Sequence, residues 1–244
     1  MTDPLLELRG VDAAVEGFPV SHDLDLTVDE GEAVGLVGRN GAGKTTTFRA
    51  IMGLTEVLDG SISFRGQELT EMSPDRIPGL GIGYQPEDRR LFTGMTVEEN
   101  FRLPIWTAGA DRGVDDEDAV VESVFDVFSE LRDRRDANVE NLSGGQAKMA
   151  AIGRALALQP DLLLLDEPLE GLAPIVVSNL KEYIRDINDR GIAVLVAESN
   201  VQHVPDVVDR IYVIERGEIV ASGDPDSLAE QEDIQKLMQG SGNE

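Results

Sequence analysis

The stretch Gly38-Arg39-Asn40-Gly41-Ala42-Gly43-Lys44-Thr45 has the residue types and spacing of a phosphate-binding loop. Its glycines let the backbone bend until successive N–H groups point inward at phosphate oxygens. A helix opening near Gly43 adds the positive end of its dipole. Lys44 can reach the β and γ phosphates as a mobile point charge, and Thr45 offers a hydroxyl to Mg2+. A glycine-rich turn beside a surface lysine would use the same letters, but it would not need a strand before them and a helix after. By itself the loop specifies only a bound nucleoside triphosphate.

Further groups could complete such a site. Leu162-Leu163-Leu164-Leu165 leads into Asp166-Glu167, so a buried strand delivers two carboxylates at its C-terminal end, where ligands sit in open α/β sheets. Asp166 suits Mg2+ coordination through water, and Glu167 suits polarisation of an attacking water. A solvated turn is the plain alternative. Leu142-Ser143-Gly144-Gly145-Gln146 opens another helix, with Ser143 as an apt N-cap and two glycines that permit close backbone approach. That is either a second phosphate-binding helix start or an ordinary capped helix. Gln85 ends a short apolar run and can reach a metal or a nucleophilic water, or be a loop amide.

The elements needed to position these groups follow from periodicity. Leu5 to Val11 alternates, as do Leu24, Leu26 and Val28, which predicts early edge strands. Ala33–Val37, Gly81–Tyr84, Leu162–Leu165 and Ile192–Ala197 are short apolar runs of the kind that form buried parallel strands. Gly60–Arg65 predicts a further strand, and Arg216-Gly217 between two apolar runs predicts a hairpin. Helices are predicted over Thr45–Leu54, Gln146–Leu158, Ile175–Asn188 and from about Pro225 to Met238. Between Val97 and Leu142 the pattern turns acidic and helical, as a separate lobe would.

Composition excludes several classes. Asp and Glu number 47 against 21 Lys and Arg, a formal net charge of -26, which repels nucleic acid and anionic lipid. The acids are scattered through apolar-periodic segments rather than collected in a tail. We therefore expect a hydrated surface tuned to a salt-rich cytosol, as in an extreme halophile. There is no cysteine, so disulfides and thiolate metal sites are ruled out, and two histidines are too few for a histidine-rich metal site. No apolar run approaches the ~20 residues of a spanning helix, and Met1-Thr2-Asp3-Pro4 lacks a signal-like start, which predicts a cytoplasmic protein attached to membranes only through a partner.

Taken in order, the phosphate loop, Gln85, Leu142–Gln146 and Leu165-Asp166-Glu167-Pro168 resemble the ATP-binding cassette (ABC) ATPases over essentially the whole chain. Pro86–Phe92, Met95–Asn100, Ala151–Leu156 and Glu170–Pro174 are similar to the ATP-binding subunits of branched-chain amino acid importers, and to related urea and short-chain amide importers. The resemblance implies an α/β P-loop NTPase fold with an N-terminal antiparallel β region. It implies one ATP-binding domain over 1–244 with a helical lobe at about 86–141 inserted in the core. ATP would be bound by Gly38, Arg39, Asn40, Gly41, Ala42, Gly43, Lys44, Thr45 and Thr46, and from a partner by Ser143, Gly144, Gly145 and Gln146. Mg2+ would be held by Thr45, Gln85 and Asp166, and hydrolysis carried by Glu167 and Lys44 with Gln85 and Ser199. The implied partners are a second ATP-binding subunit, identical or different, the transmembrane subunits of a permease, and through them an extracellular solute-binding protein. The place implied is the cytoplasmic face of the membrane, and the task import of branched-chain amino acids.

The chain departs from the family pattern at three places. The adenine-stacking aromatic falls on Val15, with Phe18 reachable only after a loop shift. Ser199 stands where most members have a histidine that contacts the γ-phosphate, and His203, about 6 Å further along a helix, cannot simply replace it. Leu169 stands where the group often has serine, in a loop facing the partner. Two rival readings remain: a soluble ABC ATPase acting on ribosomes or DNA, which the charge disfavours, and a weak regulatory cassette, which intact Lys44, Asp166 and Glu167 disfavour.

Overall fold

The structure is a computed structural model that describes residues 3–200 and 204–229. Alternation at the N-terminus builds an antiparallel sheet from β1 (Leu6–Val15), β2 (Phe18–Val28), β4 (Glu56–Phe64) and the short β5 (Gln67–Glu68), in the order β2-β1-β4-β5. β1 and β2 are joined by Glu16-Gly17, both at positive φ (52° and 82°), the pairing a two-residue hairpin demands. Strand β4 begins earlier than its alternation suggests and carries Gly60 inside it. Gly60 has φ 84°, and a Cβ there would lie 2.3 Å from the carbonyl oxygen of Gly10, so the irregular β1–β4 pairing near Gly10 admits only glycine.

The central sheet runs β10-β9-β3-β8-β7-β6, from β3 (Ala33–Val37), β6 (Ile82–Gln85), β7 (Leu162–Asp166), β8 (Ala193–Glu198), β9 (Arg210–Glu215) and β10 (Glu218–Gly223). All its pairings are parallel except the β9–β10 hairpin. β3, β7 and β8 are buried at every residue because both faces are covered. Along β7, Leu162 and Leu164 enter the core shared with α1 (Lys44–Ile51) and the N-terminal sheet. Leu163 and Leu165 enter the opposite core, shared with α4 (Gly144–Leu156) and α5 (Pro174–Asp189).

Because β6, β7, β8 and β3 run in one direction, their C-terminal ends share an edge. Gln85 is in register with Leu165, Asp166 with Ala197, and Val37 with Glu198. This places the phosphate loop, both carboxylates and Ser199 side by side.

The acidic stretch holds α2 (Val97–Ala108) and α3 (Glu117–Val127), followed by two short 3-10 turns. Thr96 and Glu99 close a reciprocal capping box on α2, and Asp116 caps α3. Phe101 and Phe125 meet at 5.1 Å between ring centres and fasten the two helices over α4. Among the described residues no helix is long and apolar enough to cross a membrane. The expected last helix is described from Pro225 to Ala229, and His203 lies outside the described residues.

Candidate functional site

The phosphate loop bridges β3 and α1. Gly41 and Gly43 take positive φ (81° and 113°), and a Cβ on Gly38 would strike the carbonyl oxygen of Ile214 at 2.3 Å. No side chain caps the N-terminus of α1 and its first turn holds no acid, so its open N–H groups and dipole are left for an anion. Lys44 is 5% exposed. Its Nζ donates to the carbonyl oxygens of Gly38 (2.7 Å) and Arg39 (3.3 Å) and pairs with Glu167 Oε1 at 3.0 Å. Asn40, Gly41, Gly43, Lys44, Thr45 and Thr46 line a cavity of about 370 Å³ together with Val20, Glu87 and Glu167. Arg39 is exposed and Ala42 buried beside them.

Asp166 and Glu167 face this loop from the end of β7. Thr45 Oγ1 donates to Asp166 Oδ1 at 3.2 Å, and the Tyr84 hydroxyl donates to Oδ2 at 3.4 Å. Burial raises the Asp166 carboxyl to about 6, against the hydrogen bond from Thr45 that favours its ionised form. Glu167 has φ 48°, a left-handed backbone that is rare for a non-glycine residue. Its Oε2 accepts from both the N–H (3.0 Å) and the hydroxyl (3.3 Å) of Ser199.

Gln85 is fully buried. Its amide nitrogen donates to the carbonyl oxygens of Pro86 and, at 3.5 Å, of Asp166, while Oε1 has no hydrogen-bond partner. Unlike Thr45, it does not line the cavity over the phosphate loop, nor the adjoining one lined by Thr45, Tyr84 and Asp166. The donors on offer to a cation are a hydroxyl, a carboxylate and the orphaned amide oxygen of Gln85, a hard-oxygen set that fits Mg2+. Among the described residues no cluster of three or more His, Cys, Asp or Glu side chains could hold a metal alone.

The segment Ser143–Gln146 contributes nothing to the cavity over the phosphate loop. Ser143 Oγ accepts from Gln146 N (3.2 Å) while Gln146 Oε1 accepts from Ser143 N (3.1 Å), a closed capping box on α4. Gly145 is forced by Val176, which a Cβ would meet at 2.6 Å. A Cβ on Gly144 would meet nothing, so this chain's own packing does not require a glycine there. Leu169, in the loop that the resemblance turns toward a partner, is 1% exposed and packs its side chain into the core. Val15 and Phe18 are direct cross-strand neighbours on one face, and Phe18 is 75% exposed.

A family profile described as ABC transporter matches residues 21–170. The chain belongs to the ABC transporter family. It is 39% identical over 199 residues to the high-affinity branched-chain amino acid transport ATP-binding protein BraG of Pseudomonas aeruginosa, covering 82% of this chain and 84% of that one. It is 35% identical over 221 residues to the lipopolysaccharide export system ATP-binding protein LptB of Haemophilus influenzae, covering 91% of each. Its structure is similar to the ADP conformation of MJ1267, an ATP-binding cassette of an ABC transporter. The TM-score is 0.82 at 25% identity, over 98% of this chain and all of that one.

The protein is thus an ATP-binding subunit of an ABC transporter, with the P-loop NTPase fold of ABC ATPases, and an ATP hydrolase. ABC ATP-binding subunits in general dimerise, associate with transmembrane permeases and use ATP with Mg2+.

Sequence reasoning passed over three groups that the ABC fold brings to the site. Tyr84 was legible only as a strand residue. Glu198 sits in the same run as Ser199, buried, with Oε1 accepting from Leu169 N at 2.9 Å; burial and the nearby Glu167 charge raise its carboxyl well above the usual range. Lys148 is an inconspicuous lysine two places past Gln146, yet its Nζ donates to the Glu167 carbonyl oxygen at 2.6 Å.

Proposed function

We propose that this subunit hydrolyses Mg-ATP held between its own phosphate loop and the Ser143–Gln146 segment of a second cassette. The work drives import of branched-chain amino acids through a permease at the cytoplasmic face of the membrane. The observation that carries the catalytic part is the convergence of Lys44, Thr45, Asp166 and Glu167 from two distant stretches of chain within hydrogen-bonding reach. The two-cassette arrangement is supported by Ser143 and Gly144, which are exposed, point at nothing in their own chain's cavity, and leave helix N–H groups open.

In this reading Lys44 exchanges Glu167 for the γ-phosphate and neutralises the transferring group with the loop amides. Thr45, Asp166 and Oε1 of Gln85 would hold Mg2+, which would supply charge neutralisation to the transferring phosphoryl group. Glu167 orients the attacking water in line and accepts its proton, while Ser199 fixes the carboxylate through Oε2. Phe18 stacks on adenine.

A permease helix is assigned to the groove of about 510 Å³ lined by Met52, Phe92, Leu103, Pro104 and Leu158. Phe92 is half exposed there, with its backbone gripped by the buried Asn100. Arg154 of α4 donates to the carbonyl oxygens of Arg89 and Arg90, which joins this groove to the segment after Gln85.

The solute is chosen by partners, and the closer identity to BraG than to LptB supports amino acid import. The LptB relatives favour a second reading, lipid export. Reconstituted with its permease and binding protein in vesicles, the complex is expected to hydrolyse ATP faster when leucine-loaded binding protein is added and to accumulate labelled leucine. A permease that pairs with no solute-binding protein, and ATPase indifferent to every amino acid, would favour export.

A further inference from the structure

Lys148 is 2% exposed and has no part in the chemistry assigned above. A buried ammonium is unfavourable unless something in the site uses it. Burial, and then Arg89, push its pKa down, while Glu198, Asp166 and Glu170 favour the charged form. An apolar side chain of equal length would fill the space without that penalty. What the ammonium does here is donate to the carbonyl oxygen of Glu167 at 2.6 Å.

That carbonyl belongs to a strained unit. Glu167 has φ 48° and precedes Pro168, so its peptide is constrained on both sides. Four bonds hold it: Glu167 N donates to Ala197 O (3.0 Å), Lys148 Nζ and, at 3.4 Å, Glu170 N donate to the carbonyl, and Glu198 takes the N–H of Leu169 just beyond. The bonds to Ala197 and Glu198 run to β8, and that from Glu170 stays within the turn. Only Lys148 runs to α4, whose N-terminus is the Ser143–Gln146 segment. Lys148 lies four residues past Gly144, about 6 Å along the helix axis.

We propose that Lys148 is a positioning residue for hydrolysis. It sets the Glu167–Pro168 peptide, and so the aim of the Glu167 carboxylate. Because it stands on α4, it ties the helix end that meets the partner's nucleotide to the glutamate serving this subunit's own. The inference rests on Glu167 acting on the water and on Ser143–Gln146 serving a second cassette.

The test uses the full chain with its permease and compares Lys148→Met, which keeps the length and loses the donor, with Lys148→Arg, which keeps a charged donor. For each, kcat, KM, ATP affinity and melting temperature are measured. The expected result is a fall in kcat of tenfold or more for Lys148→Met. KM and ATP affinity stay within twofold, the melting temperature does not fall, and Lys148→Arg is intermediate. Three results would overturn the inference: Lys148→Met within twofold of wild-type kcat, a joint loss of kcat, affinity and melting temperature, or Lys148→Arg no better than Lys148→Met. Glu167→Gln measured alongside separates the readings. If it still hydrolyses ATP, the assignment of Glu167 fails; if it is inactive while Lys148→Met is normal, only the role of Lys148 fails.

Discussion

Lys44 Nζ lies 3.0 Å from Glu167 Oε1, with the two side chains only 5% and 4% exposed. The cation to which the proposed mechanism gives the phosphate and the acid to which it gives the water are therefore partners here. In the proposed mechanism an arriving γ-phosphate takes Lys44 from Glu167, while the two donors of Ser199 keep hold of Oε2. Binding thus changes what Glu167 touches, not only what Lys44 touches.

Glu167→Gln is expected to lose ~100-fold or more of the hydrolysis rate, the scale of a lost general base. ATP affinity should be kept or improved, because an anion beside the phosphates is gone. Ser199→Ala removes one of two donors to Oε2 and leaves the backbone N–H, so it should lose ~0.5–1.5 kcal/mol, roughly threefold to tenfold in rate. Steady-state phosphate release reads both. A Ser199→Ala protein as inactive as Glu167→Gln, with ATP still bound, would show that the hydroxyl does more than orient Glu167.

Phe18→Ala should raise the KM for ATP about tenfold with little change in kcat, from the ~1–3 kcal/mol of a base–aromatic stack. Val15→Ala, on the opposite strand, should change KM less than twofold. Equal effects at the two positions would remove Phe18 from adenine binding.

The pH dependence of the nucleotide-free protein carries the signature of Asp166. Its folded carboxyl is raised from 3.8 to about 6, mainly by burial. The sign follows: the folded state prefers the protonated acid, so the contribution to stability is complete below pH 3.8 and is lost as pH rises through 6. Asp166→Asn cannot ionise, so its melting temperature should gain on wild type as pH goes from 5 to 7, by at most about 3 kcal/mol of unfolding free energy. A constant difference across that range would mean that Asp166 is not held protonated. Glu198→Gln should show the same sign, since burial and Glu167 raise that carboxyl too.

The net charge of -26 predicts a rise in melting temperature from dilute buffer to molar KCl, because self-repulsion is screened. A melting temperature that stays flat or falls would argue against a protein adapted to high salt.

The sequence alone determined the phosphate loop, the two carboxylates after β7 and the parallel strands, because each is a local pattern with a local cause. Glycines mark where the backbone must bend, apolar runs mark strands covered on both faces, and Ser143 with Gln146 marks a helix start. The β9–β10 hairpin was legible in Arg216-Gly217 for the same reason, both residues taking positive φ. Only the tertiary structure decided what depends on register and burial. It paired Val15 with Phe18, which sets an exposed aromatic directly across from the aliphatic residue. It turned Leu169 into the core and Gln85 onto backbone carbonyls, away from the loop cavity. It placed Lys148 under Glu167, nineteen residues apart in sequence. A lone lysine in a helix carries no pattern of its own. Its meaning lies in the strained carbonyl it meets, and that meeting is fixed by how α4 packs against β7.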